Sequence, residues 1–308
     1  MTFGILAWKA SLLLLTIAVG FICRKKDIIN EPTAQGMTNF LMKVSIPCLL
    51  ITSVGTSAID GGGGNLLYCG AIFVGYYIVL LPIMRIYCKT TKLSKAKAAV
   101  TTLMVAFPNI AFFGFPMMNA VLGPSSVAYG AVMSAIFTCI FFTYGLSLFQ
   151  QSFDRKTLIN PINIATLIMI ILFATNVHLP EKLFTVLTQF GSLTTPLALL
   201  VIGGNIANSD LKKVLTTKSL YGITFTRLIL IPVLFMACIW PLQMPDTLRM
   251  ALLIGISCPE GALTALIAHQ TNSEPEFAAQ SLVQCVAFSV VTMPLLIVGF
   301  QYVRALAF

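Results

Sequence analysis

Charge is what this chain has least of. Only 9% of its 308 residues are charged, among them 10 acidic residues, and there are 2 histidines, against roughly 25% charged residues in a soluble domain. That deficit excludes a solvated globular surface. The histidines, His178 and His269, lie near the ends of apolar runs and read as surface groups. No H-E-x-x-H and no embedded pair of aspartates occurs, so an intramembrane enzyme lacks its chemistry. The 8 cysteines show no C-x-x-C spacing and fall mostly in or beside apolar runs, where free cysteine packs as a small hydrophobe. The glycine-rich stretch Asp60-Gly61-Gly62-Gly63-Gly64-Asn65 lacks the lysine and the strand–helix context of a phosphate cradle, and reads as a flexible external turn.

What remains is hydrocarbon. The chain is 57% hydrophobic with a mean hydropathy of +0.92, and at ~20 apolar residues per helical span it accommodates about ten spans with no room for a soluble domain. The expected spans are 3–23, 34–57, 65–87, 97–121, 124–149, 158–178, 184–208, 215–240, 247–270 and 276–302. Phe3 to Cys23 has no basic segment ahead of it; Arg24-Lys25-Lys26 follow instead, so it reads as a retained span rather than a leader. The net charge of +9 does not point to nucleic acid, because the basic residues sit in short links. Arg24–Lys26, then Arg85, Lys89, Lys92, Lys95 and Lys97, then Arg155 and Lys156, then Lys212, Lys213 and Lys218 follow odd-numbered spans, whereas even links hold Lys182 and Arg249. Positive-inside logic makes the odd links cytoplasmic, both termini outside, and the lipid bilayer of the cell membrane the chain's surroundings.

Two of the runs are interrupted. Ala106-Phe107-Pro108-Asn109-Ile110 and Ser257-Cys258-Pro259-Glu260-Gly261 each place a proline mid-run, where it removes a backbone donor and clashes with the preceding turn. Broken helices at membrane depth are tolerated only where the freed backbone faces protein or water. Paired breaks in corresponding halves mark the binding site of a transporter. The halves also echo one another: Pro108 and Pro259 are 151 residues apart, Pro47 and Pro196 149, and Leu67-Tyr68 recurs as Leu220-Tyr221. The expected architecture is therefore an all-α polytopic membrane protein of ten transmembrane helices. Residues 1–152 form the first five-helix repeat and 153–308 the second, inverted because five spans is an odd number, with broken helices 4 and 9 crossing near the midplane.

Several residues near the breaks carry candidate chemistry. Glu260 is an acid at mid-depth, which costs ~2.5–3.5 kcal/mol on insertion scales and calls for a partner, water or an ion; it would hold Na⁺, carry a proton, or cap the broken helix. Asn109, mirrored in the first half, could bind a carboxylate or cap the second half of its own span. Arg227 lies about twelve residues into its span and would either grip a carboxylate substrate or pair with Glu260 or with carbonyls freed by a break. Lys43 either snorkels to the surface or adds a second positive group beside the substrate. Gly261 adjoins the substrate position. Ser134, Thr138 and Thr143, and Gln280, Gln284, Ser289 and Thr292, recur at near-helical spacing and either bond neighbouring helices or complete an ion shell; Asn109, Thr138 and Gln284 are the candidates to join Glu260 at the ion. Pro108, Pro116 and Pro259 are the expected helix breaks.

These segments resemble a known family. Asn109-Ile110-Ala111-Phe112-Phe113-Gly114-Phe115-Pro116 is similar to the Asn-x-Gly-Phe-x-Gly-x-Pro signature of the auxin efflux carriers, and Thr38-Asn39-Phe40 to Pro47 and Pro196 to Ala207 resemble its second and seventh spans. The resemblance implies a secondary carrier of small organic anions, close to the bacterial malonate-permease-like members, in a fold shared with bile-acid–sodium symporters. It further implies a scaffold of spans 1, 2, 6 and 7, an elevator-like core of spans 3–5 and 8–10, and a homodimer. Glu260 stands where plant carriers have asparagine and resembles the sodium-coordinating glutamate of the bile-acid symporters. No organic cofactor is implied; Na⁺ is the candidate coupling ion, and the small organic anion the partner. A cation–proton antiporter on the same fold usually uses two adjacent midplane acids, and only Glu260 is present. A carrier-fold membrane sensor usually appends a signalling domain, which this sequence does not contain.

Overall fold

The computed structural model describes residues 3–53, 62–149, 159–175, 177–207, 214 and 216–307, and these are helical almost throughout, without a strand. Asp60, Gly61, Arg155, Lys156, Lys212 and Lys213 lie outside the described residues. In chain order the helices are α1 (Phe3–Lys25), α2 (Glu31–Phe40), α3 (Ile46–Thr52), α4 (Gly62–Thr90) and α5 (Lys95–Ala106). They continue with α6 (Phe115–Leu122), α7 (Val127–Ile140), α8 (Pro161–Thr175), α9 (Glu181–Ser192) and α10 (Thr194–Ala207). The last are α11 (Tyr221–Phe225), α12 (Ile231–Ile239), α13 (Asp246–Ser257), α14 (Ala262–Gln270) and α15 (Pro275–Ala307).

Local chemistry explains several starts and joins. Asn30 caps α2 by accepting from Thr33 N at 3.0 Å, with Pro32 in the first turn where no donor is missed. Ser94 caps α5 through Lys97 N at 3.2 Å. Pro47, Pro116 and Pro232 each occupy the second position of a helix entered from a π turn: Leu41–Ser45, Ile110–Gly114 and Thr226–Leu230. A proline lacks the N–H and its ring collides with the carbonyl four residues back; widening the turn carries that carbonyl away and lets the helix continue. Pro116 therefore does not break its helix as expected. The chain stays helical from Ile110 to Leu122.

Five helical runs among the described residues are long and apolar enough to cross a membrane unaided: 63–90, 124–145, 181–207, 218–239 and 275–303. The two interrupted runs fall short for a plain reason. The 12-residue α5 and α13 each extend about 18 Å at 1.5 Å per residue, against a hydrocarbon layer of ~30 Å.

The helices pack in two groups. In one, α1 lies along α10, and α3 packs on α8 and α9. In the other, α4, α7, α11, α12 and α15 surround the interrupted helices α5–α6 and α13–α14. The α1–α10 contact is backbone to backbone: a Cβ on Gly203 would come within 2.0 Å of Ile17 O, and one on Gly20 within 2.3 Å of Leu200 O. Small residues permit this approach where helices cannot rely on a hydrophobic drive to associate. Gly203→Ala should therefore destabilise the protein by about 1–3 kcal/mol and lower its melting temperature in detergent. Gly204→Ala, whose Cβ would meet nothing nearer than Arg24 Cβ at 3.8 Å, should leave the melt unchanged.

Candidate functional site

The two breaks face each other. α5 ends at Ala106, Phe107 is extended (φ −111°, ψ 98°), and helical geometry resumes at Ile110. α13 ends at Ser257, and α14 starts at Ala262 after an extended Gly261. Between them the strand-like segments pair antiparallel: Asn109 N donates to Pro259 O at 2.8 Å, Gly261 N donates to Phe107 O at 3.3 Å, and Pro108 bridges Glu260. Each break thus supplies donors that the other's proline cannot. The Phe107 ring is fully buried among Tyr77, Phe137 and Phe141, at centroid distances of 5.1 to 5.6 Å, which holds the extended segment in place. Asn109 caps the second half of its helix, its Oδ1 accepting from Phe112 N at 3.1 Å.

The carbonyl ends of the first halves meet Arg227, which is fully buried. Its Nε and Nη2 both donate to Cys258 O, at 3.0 and 2.9 Å, and Nη2 also to Ile256 O at 2.8 Å. Nη1 donates to Val105 O and to the Tyr76 hydroxyl, each at 3.1 Å, and Tyr76 in turn donates to Ala106 O at 2.9 Å. All five guanidinium N–H groups are engaged, so in this arrangement none is left for a substrate carboxylate. Of the roles weighed for Arg227 from sequence, its donors go to the freed carbonyls. The positive charge also sits at the negative ends of two helix dipoles, where it is favoured.

Glu260 is 1% exposed, and both its carboxyl oxygens lack a hydrogen-bond partner among the described residues. It makes no ion pair with Arg227; the one ion pair among the described residues joins Arg24 and Glu31. The hydroxyls of Ser257 and Thr264 are likewise buried without partners among the described residues. Ser281, on α15, interacts with the carboxyl. Ser257 and Thr264 lie within four residues of Glu260 in the chain, and buried polar groups without partners call for an explanation. Among the described residues no three of His, Cys, Asp and Glu gather as a metal cluster.

Two cavities flank the crossing. One, about 460 Å³, is lined by Asn109, Ile110, Ser134, Thr138, Gly261 and Ala262 among others; every lining residue is uncharged. The other, about 400 Å³, shares Asn109, Phe112 and Ala262, and reaches Asn205 of α10 and Glu31 of α2. Thr138 lines the first cavity but donates to Ser134 O at 2.8 Å. Gln284 is buried away from both, accepting from Thr224 Oγ1 at 2.8 Å and donating to Val214 O at 3.1 Å. Lys43 is exposed and lines neither cavity. Pro108, Asn109, Pro259, Glu260 and Gly261 thus come together, Arg227 braces them from behind, and Lys43 and Gln284 stand apart.

Sequence reading did not single out Tyr76, Ser257, Thr264 or Ser281. A signal existed for Tyr76, which precedes Arg227 by 151 residues, the spacing of the two break prolines. Ser257, Thr264 and Ser281 carried none, since a hydroxyl in an apolar helix usually bonds its own backbone.

Arg227→Lys should cost about 3–5 kcal/mol, because one ammonium cannot span three carbonyls and a phenol and leaves buried acceptors unpaired. Tyr76→Phe should cost about 1–3 kcal/mol. Thermal unfolding of the purified variants checks both, and equal melting temperatures for wild type and Arg227→Lys would refute the bracing role.

No curated protein matches the chain. The sequence profile of a family described as membrane transport protein matches residues 10–154 and 150–297. With several apolar helices long enough to span a bilayer and that match over nearly its whole length, the chain is a multi-pass membrane protein and belongs to the membrane transport protein family, of the auxin efflux carrier type.

Proposed function

We propose that this protein is a secondary active transporter of a small organic anion, working by elevator-type alternating access and coupled to Na⁺ or H⁺ through Glu260. The observation that carries the reading is the uncharged cavity against which two helix N-termini converge. Ile110 opens one half-helix and Ala262 the other, and both line it. α14 begins without a side-chain cap, so its first-turn N–H groups and positive dipole end suit an anionic group. A carboxylate would be held there by backbone donors, Asn109 and neighbouring side-chain amides and hydroxyls, with no basic side chain required. Arg227 then positions the crossing instead of touching substrate.

The coupling role rests on the unsatisfied oxygens. A hard cation takes oxygen ligands, and Glu260 supplies a carboxylate, Ser257 and Thr264 hydroxyls without partners among the described residues, and Ser281 a hydroxyl beside the carboxyl; the unwound segment adds carbonyls. Na⁺ would be held by these groups, or a proton would neutralise the carboxylate in its place. Either ion would offset the burial of a charge that otherwise lacks a partner.

The repeat is supported by contacts between residues about 150 apart: Ser45 with Thr194 (2.7 Å), Tyr76 with Arg227, and Pro108 with Glu260. In a two-fold arrangement, equivalent positions touch each other only at the axis. Residues 1–152 and 153–308 would be the inverted halves of a ten-span bundle. The α1–α3 and α8–α10 group would serve as scaffold and the helices around the breaks as the moving core, with a homodimer forming through the scaffold. The chain's resemblance to bacterial organic-acid carriers favours the cell membrane and a carboxylate substrate. Residual cation–proton exchange without an organic substrate is disfavoured by the single acid at the crossing.

Melting curves of the purified protein with a panel of mono- and dicarboxylates, with and without Na⁺, test the site. Stabilisation by one acid class that requires Na⁺ and disappears in Glu260→Gln is expected for sodium coupling. The same stabilisation without a sodium effect, strengthened at lower pH, is expected for proton coupling. No response of the wild type to any acid would overturn the organic-anion reading.

A further inference from the structure

A second charged feature lies away from the crossing, at the membrane-surface end where α4 turns into α5. A basin of about 650 Å³ opens there, with Arg85, Lys89, Lys92 and Lys95 on its walls and Tyr144 and Thr102 adding hydroxyls. All four cations are exposed, and none forms an ion pair among the described residues. The neighbouring Lys97 is engaged elsewhere, 4.8 Å over the Phe277 ring.

Local electrostatics make this basin unusual. The first turn of α5 carries Lys95 and Lys97 and no acid, although cations at a helix N-terminus are repelled by its dipole. Lys92 adds its charge from a left-handed backbone (φ 52°), a conformation non-glycine residues adopt rarely. Like charges gathered around one cavity beside a helix N-terminus repel one another, and an anion between them relieves that repulsion. The approach to the basin is apolar. Val79, Ile83 and Ile86 form an exposed stripe along α4 that ends at the basic turn, spaced as one helix face.

We propose that this basin binds the phosphate headgroup of an anionic membrane lipid, with the acyl chains lying along the Val79–Ile83–Ile86 stripe. The guanidinium of Arg85 and the three ammonium groups take the phosphate, and the Tyr144 hydroxyl lies within the same basin; Thr102 is occupied, donating to Ala98 O at 2.8 Å. Because α4 and α5 belong to the group that carries the breaks, a bound lipid tethers that group to the bilayer surface. The site is independent of the carboxylate reading at the crossing.

Native mass spectrometry of the full chain in neutral detergent tests this, titrating phosphatidylglycerol, phosphatidylcholine of the same acyl chains, and inorganic phosphate. The wild type should retain phosphatidylglycerol in preference to phosphatidylcholine, and Lys89→Gln/Lys92→Gln/Lys95→Gln should bind it about a hundredfold more weakly. Lys25→Gln/Lys26→Gln, which removes surface charge elsewhere, should bind as wild type. Equal retention of the two lipids, or equal loss in both variants, would overturn the proposal. Inorganic phosphate displacing phosphatidylglycerol at millimolar concentration would show a site for soluble phosphate and overturn the lipid assignment.

Discussion

A single guanidinium makes the interrupted architecture viable. Breaking a helix inside a bilayer strands carbonyls where no water can reach them, at several kcal/mol each. Arg227 donates to Val105, Ile256 and Cys258, which come from both interrupted helices, and through Tyr76 it reaches Ala106 as well. A rigid fork of five donors is suited to this; a lysine is not. The residue's own burial is compensated by the same carbonyls, since the ends of two helices converge on it with partial negative charge. The two breaks stand or fall together because one side chain serves both.

The crossing is polarised as a result. Carbonyl ends and Arg227 lie on one side of the paired segment; half-helix N-termini and the uncharged cavity lie on the other. Under the proposed function this separation lets an anion bind against N–H groups without meeting the carbonyls, while Glu260 and its neighbouring hydroxyls are free to take a cation. Substrate and ion would then sit on opposite electrostatic faces of one short backbone bridge, close enough for each to favour the other's binding.

Much of this is legible in the sequence. Proline paired at corresponding places in the two halves pointed to Pro108 and Pro259 as the breaks, although Pro82 and Pro294 lie inside continuous helices, and the scarcity of charge located the membrane. Pro116 misled because a π turn can absorb a proline, and nothing in the local composition distinguishes an absorbed proline from a breaking one. Arg227 was legible as a buried cation, but whether it faced substrate or carbonyls depended on tertiary geometry. Lys43 could be either buried or surface by a boundary shift of a few residues, and the structure has it exposed. The hydroxyls of Ser257 and Thr264 were invisible, because their interest lies in bonds they do not make, and that of Ser281 because its place beside the carboxyl is set by tertiary packing.

Gradient-driven uptake in proteoliposomes tests the transport reading most directly. A labelled carboxylate that stabilises the protein is offered with an inward Na⁺ or proton gradient, to wild type and to Glu260→Gln. Accumulation against the substrate gradient by the wild type, driven by one of the two cations and lost in Glu260→Gln, is the expected result. Accumulation by Glu260→Gln equal to that of wild type, under the same gradient, would contradict it.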